Sequence, residues 1–410
     1  MSPRLRYLLL VILAGESIFI LPFVLIRVFR PTVMTAYGVD NTEVGVWFAV
    51  YGLVALGSYV VGGPLADRFA PRKLMGTALL LTAAAGPVYA LLPEPSVVRW
   101  VYGYWGFTTI FLFWAAMVKA TRVWGGAGAQ GRAFGFLDGG RGLVGALFGL
   151  LGVSILNALG GAAAGAEAYP TIVLVCSGLV AGVGLLVYTG LRLPAGTTTE
   201  EEPATAGRIR RAHVAAVLRL PTVWLLMVII LCAYMGYRAT DILSLYASEV
   251  MGYDDLAAAR LGTFLLFLRP VVGVSAGLLA DRRRPSLYLI GSFVLTAIAS
   301  GLFALGTAAS GSALLFFCSV LTLAAGVYAG RALYFAVLRE GRIPLALTGT
   351  AVGLVSFVGY TPDIFAGLLY GHYLDAYPGP VGHRIVYLIL GGFSLVGLVA
   401  AVAYARLGRR

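Results

Sequence analysis

The chain has 410 residues, of which 60% are hydrophobic and only 12% charged, with a formal charge of +12. A soluble chain carries about a quarter charged residues, so this composition excludes an ordinary soluble domain and points to a bilayer as solvent. The positive excess reads as Arg-rich cytoplasmic loops, and without bases interleaved with aromatics it excludes nucleic acid as a partner.

A helix that crosses a membrane needs about 20 apolar residues. Such runs lie near 6–30, 42–64, 73–92, 98–120, 132–158 and 169–191 (spans 1 to 6). Six more lie near 221–248, 254–280, 286–308, 312–337, 344–371 and 384–406 (spans 7 to 12). They are too long for strands and lack the alternation of a barrel. The first run follows Arg4 and Arg6, is too long for a signal peptide and lacks a small-residue cleavage site, so it is read as a retained helix. The sequence thus predicts an all-α membrane protein with a six-span bundle over 1–192 and another over 220–410. Residues 193–219 between them form a polar cytoplasmic linker, whose Arg-rich segment 207–219 reads as an interfacial amphipathic helix.

Lys and Arg set the expected orientation. One set of loops carries Arg68, Arg72 and Lys73, then Arg122 and Arg132, then Arg208, Arg210, Arg211 and Arg219. The same side continues with Arg282, Arg283 and Arg284, Arg339 and Arg342, and Arg406, Arg409 and Arg410. The opposite loops carry acids, with Arg30, Arg99 and Arg384 as exceptions. Both termini are therefore expected in the cytoplasm of a multi-pass cell-membrane protein. Cys176, Cys232 and Cys318 lie in apolar runs without metal-ligand spacing and read as small buried hydrophobes.

The loop after span 2 reads Gly63-Pro64-Leu65-Ala66-Asp67-Arg68-Phe69-Ala70-Pro71-Arg72-Lys73. The loop after span 8 reads Gly277-Leu278-Leu279-Ala280-Asp281-Arg282-Arg283-Arg284. Both place Gly four residues before Asp-Arg, at the matching point of each half. Gly63 and Gly277 allow close helix approach, and Asp67 at a helix end suits capping and bonds from bases. Asp67, Arg68, Arg72, Asp281 and Arg282 are therefore expected to form a cytoplasmic gate. The paired motif resembles the signature of the major facilitator superfamily, and the resemblance runs over the whole chain. It implies two helical bundles around a central cavity that opens alternately to each side.

Ionisable groups at membrane depth are functional candidates because each costs on the order of 2.5 kcal/mol or more. Glu16 falls in span 1, Lys119 in span 4, Asp138 and Arg141 in span 5, and Arg238 and Asp241 in span 7. Arg269 falls in span 8, Arg331 in span 10 and Asp363 in span 11. Asp138 and Arg141 are three residues apart, as are Arg238 and Asp241, so each pair shares a helix face and can neutralise itself. Arg269 has no acid within a turn. Its charge must be met by another helix, by water or by a ligand, and a guanidinium fork suits a carboxylate, phosphate or sulfonate. Arg269, Arg238 and Arg141 are the candidate substrate ligands, with a structural bond from Arg269 to Glu16 as the alternative. Glu16, Asp138 and Asp241 are the candidate proton-coupling or charge-pair residues. Arg269-Pro270 resembles the Arg-Pro of oxalate:formate antiporters, and nitrate/nitrite porters also use an arginine on this helix. No base lies between Val44 and Gly63 in span 2, which disfavours nitrate itself. The aromatics of span 4, Trp105, Phe107, Phe111, Phe113 and Trp114, read first as packing or lipid contacts.

The reading is a monomeric secondary transporter of a small organic anion, driven by proton symport or anion exchange. An exporter of drugs or lipophilic compounds is the alternative within the fold. No nucleotide, metal or cofactor motif appears, and His213, His372 and His383 are too scattered for an enzyme's cluster.

Overall fold

The computed structural model describes residues 2–125, 130–192, 211–282, 284–307, 312–341 and 348–408. All regular structure among the described residues is helical. Among the described residues nine helices are each long and apolar enough to cross a membrane, and the bent pair Pro3–Ser17 and Ile20–Val28 makes ten. The two further predicted runs also fold as helix, 42–64 within Asn41–Arg68 and 73–92 as Pro71–Ala84 with Gly86–Ala90. Over its described residues each of the twelve predicted runs is thus helical, as a bilayer requires of a backbone that has no water to bond.

Local chemistry sets the starts of these helices. Ser2, Asp40 and Ser312 accept hydrogen bonds from the backbone N–H groups of Leu5, Glu43 and Leu315. Proline opens the helices at Pro71, Pro95, Pro221, Pro285, Pro362 and Pro380, where its missing N–H costs nothing.

Among the described residues spans 1, 3, 4, 7 and 11 are interrupted, span 3 at Ala85 between Pro71–Ala84 and Gly86–Ala90. Span 1 passes through a π turn at Ile20–Val24 around Pro22 and bends by 42°. Span 4 holds a π segment over Phe107–Trp114. Span 7 tightens to a 3-10 turn at Thr240–Ile242, directly after Arg238. Span 11 stops at Gly359 and restarts at Pro362, one residue before Asp363. Irregular backbone at membrane depth survives where protein or a water-filled cavity satisfies it, and three of these breaks lie beside intramembrane charges.

By its internal contacts the chain divides into one unit of Met1–Gly207 with Tyr253–Pro270 and a second of Arg208–Gly252 with Val271–Arg410. The first part of span 8 joins the first unit because it lies tight against span 1. A Cβ on Gly262 would sit 2.9 Å from the Val28 Cα, so only glycine permits this approach. Of the linker, 193–210 lies outside the described residues, and Arg211–Leu218 is helical.

The first unit's core is aromatic. Trp47, Tyr89, Tyr102, Trp105 and Tyr169 are fully buried, and the Trp105 indole N–H donates to the Thr82 carbonyl at 3.0 Å. Within span 4, Trp105 and Phe113 are core, whereas Phe107 is exposed and stacks on Phe111. Cys176 and Cys232 are buried as expected, but Cys318 is exposed. A thiol facing hydrocarbon needs no protein around it, so an apolar run did not imply burial at that position.

Candidate functional site

Four charged side chains meet inside the first unit. Glu16 on span 1 accepts from Arg141 Nε on span 5 at 3.0 Å and from Arg269 Nη1 on span 8 at 3.1 Å. Arg269 Nη2 donates to Asp138 Oδ1, also at 3.1 Å. The result is a chain of alternating charge, Arg141–Glu16–Arg269–Asp138, with a formal sum of zero. Span 5 makes room for it through glycine. A Cβ at Gly142 would meet the Pro270 Cδ at 2.8 Å, and one at Gly145 the Glu16 Oε1 at 3.2 Å. The Arg141 guanidinium also lies 5.3 Å from the Phe19 ring and 5.9 Å from the Trp114 ring, which spreads its charge over two π faces.

The expected pairing of Asp138 with Arg141 on their shared face is replaced. Arg141 turns to Glu16 and Asp138 to Arg269. A carboxylate as buried as Glu16 needs a donor on each oxygen, and two arginines from different helices supply them. The charge of Arg269, left open between helix, water and ligand, is met by two other helices. Its two partners differ: the Glu16 side chain is 3% exposed and that of Asp138 is 40% exposed.

The second unit holds another cluster. Arg238 Nη1 lies 2.7 Å from Asp241 Oδ2, the predicted pair three residues apart. Asp363 on span 11 lies beside them, its Oδ1 at 3.7 Å from Arg238 Nε, and its Oδ2 accepts from the Tyr234 hydroxyl at 3.2 Å. The Arg331 guanidinium stands 3.9 Å over the Tyr237 ring. Asp363 occupies the first turn of its helix, where the helix dipole favours a carboxylate.

Tyr234, Tyr237 and Tyr360 carry no signal of their own in an apolar run, although Tyr234 and Tyr237 share a face one turn apart beside Arg238. Arg27, not among the sequence candidates, is buried, and the charge pattern places Arg30 in an outer loop. Arg30 is in fact buried and donates twice to Asn41 Oδ1, at 3.1 and 2.9 Å. At the predicted gate, Arg68 is exposed and Arg72 half-buried, while the side chains of Asp67, Asp281 and Arg282 lie outside the described residues. Lys119 donates to the Ala66 carbonyl at 2.8 Å, placing a cation at the C-terminal end of the Asn41–Arg68 helix.

Among the described residues, nine or ten helices long and apolar enough to cross a membrane, three of them broken beside charges, define a polytopic membrane protein. The family model described as Major Facilitator Superfamily matches residues 9–367, and the chain belongs to that superfamily. Among its relatives, the inner membrane protein YihN of Escherichia coli (strain K12) is 26% identical over 399 residues, covering 96% of this chain and 93% of the relative. Inner membrane protein YqcE of the same organism is 25% identical over 382 residues, covering 90% and 86%. A bacterial homolog of the human lysosomal transporter Spinster, crystallised inward-facing and unoccupied, shares the fold with a TM-score of 0.75 at 15% identity, over 99% of this chain and 98% of that one. The nucleoside transporter NupG shares it with a TM-score of 0.73 at 13% identity, over 98% and 100%.

The unequal burial of Arg269's two partners makes a prediction. Glu16→Gln leaves two buried guanidiniums without their shared anion and should destabilise the protein by on the order of 3–5 kcal/mol. Asp138→Asn removes a half-exposed partner and should cost about 1 kcal/mol or less. Thermal unfolding of the purified variants checks the order, and equal losses would contradict it.

Proposed function

We propose that this superfamily member is a secondary active transporter of a small organic anion, a carboxylate, phosphate or sulfonate. The observation that supports the reading is the sign of the buried charge. Among the described residues, Arg27, Arg30, Arg141, Arg238 and Arg269 are buried, against only Glu16 and Asp241 among the acids. A lipophilic-cation exporter would want the opposite balance.

In this reading Arg269 is the principal ligand, with Arg141 and Arg238 as further anion-binding bases. Glu16 holds Arg269 in place from the buried side. Asp138, which solvent reaches, is the partner that an arriving anion replaces on the guanidinium fork. Glu16, Asp138 and Asp241 keep the bases neutralised between turnovers, and either proton symport or anion exchange drives alternating access. The protein works as a monomer in the inner membrane with both termini in the cytoplasm, joined through the linker at 193–219. Asp67, Arg68, Arg72, Asp281 and Arg282 form the cytoplasmic gate.

Two tests follow from these roles. Arg269→Gln should abolish binding of the transported anion, and Arg269→Lys, which keeps charge without the planar fork, should leave a weakened remnant. The Glu16→Gln/Arg269→Gln double variant should fold yet fail to bind, and wild-type affinity there would refute a direct role for Arg269. Asp67→Asn should slow uptake into proteoliposomes while substrate affinity stays as in the wild type. Unchanged uptake rates would remove Asp67 from the gate.

A further inference from the structure

The second unit carries a patch that anion binding at Arg269 leaves unused. Tyr234 and Tyr237 on span 7, Arg331 on span 10, and Tyr360 and Asp363 on span 11 are contiguous. The Tyr234 ring lies 4.9 Å from that of Tyr360 and 5.6 Å from that of Tyr237. Arg331 stands 3.9 Å over Tyr237 and 5.8 Å from Tyr234, and Tyr234 donates to Asp363 Oδ2 at 3.2 Å. Tyr360 is further tied to Tyr334, hydroxyl to hydroxyl, at 3.1 Å. Tyr234, Arg331, Tyr360 and Asp363 are half-buried. Charged groups at membrane depth are costly against lipid, and we read the accessible side of the patch as facing water on that ground.

Asp363 supplies the chemistry. Its Oδ1 is buried and has no hydrogen-bond partner among the described residues, and Arg238 Nε at 3.7 Å is beyond bonding reach. A carboxylate only accepts, so the partner that completes it is an O–H or N–H donor. An ammonium group is disfavoured because the Arg238 and Arg331 guanidiniums stand beside the same carboxylate and would repel it. A neutral hydroxyl fits. The ring faces of Tyr234 and Tyr360 suit the C–H face of a saturated ring, their hydroxyls offer further polar partners, and Arg331 suits an anionic group.

We propose that this patch is a recognition site for a polyhydroxylated organic anion of the sugar-acid or sugar-phosphate class, with Asp363 accepting a substrate hydroxyl. The proposal rests on the organic-anion reading and narrows it.

The test compares two ring carboxylates of equal charge, glucuronate and cyclohexanecarboxylate, by calorimetric titration of the purified full-length protein. Wild type should bind glucuronate about tenfold or more tighter, as one good charge-assisted hydrogen bond implies. Asp363→Asn should remove most of that preference for glucuronate over cyclohexanecarboxylate. Tyr234→Phe, a milder change that retains the ring, should reduce the preference without removing it, and it serves if Asp363→Asn fails to fold. Equal wild-type affinity for the two acids would overturn the hydroxyl site while leaving the anion reading intact. Parallel loss of both acids in folded Asp363→Asn or Tyr234→Phe would also overturn it, as the mark of a purely structural role. Binding of neither acid to wild type would contradict both readings.

Discussion

One buried carboxylate organises the first unit. Glu16 bonds Arg141 through one oxygen and Arg269 through the other, and so ties spans 1, 5 and 8 together where no water can share the load. Charges in such surroundings are tolerated only when every one is met. That demand explains the neighbourhood. Span 5 presents glycine where the carboxylate and the helix 8 backbone press against it. Arg141 lies over two aromatic rings. The first part of span 8 packs with the first unit rather than the second.

The same demand shapes the backbone of the second unit. Span 7 breaks immediately after Arg238, and span 11 breaks immediately before Asp363. A continuous helix satisfies its own backbone and leaves only side chains to make a site. Broken helices also bring side chains from both edges of the break to one place, here Asp241 and Arg238 on one span and Asp363 on another. Buried pairs of this kind contribute little net stability against an apolar core of the same volume.

The fold was largely legible in the sequence because a bilayer allows so few solutions. Twelve apolar runs and two Gly-x-x-x-Asp-Arg loops sufficed for the helices and the superfamily. Pro22, which lacks an N–H, sits in the π turn where span 1 bends. The charged residues of the site were legible one by one, since each was anomalous in an apolar run. Their pairing was legible for Arg238 and Asp241, where three residues of spacing on one helix decided it, and for Arg269 with Glu16, the structural alternative to a ligand. Asp138 and Arg141 have the same spacing, but tertiary partners on spans 1 and 8 outcompeted it. Tyr234, Tyr237 and Tyr360 were not legible, because an aromatic in a membrane span is ordinarily packing and only the nearby Arg331 and Asp363 distinguish these. Cys318 failed for the complementary reason, since apolar surroundings can be lipid.

The proposed function assigns the buried arginines to carrying an anion. Its most direct test is uptake by wild-type protein in proteoliposomes, with labelled carboxylates, phosphates and sulfonates set against lipophilic cations. The account predicts saturable uptake of at least one anion class, inhibited by unlabelled anions of that class, and no movement of cations. Saturable cation transport with no anion transported would contradict it.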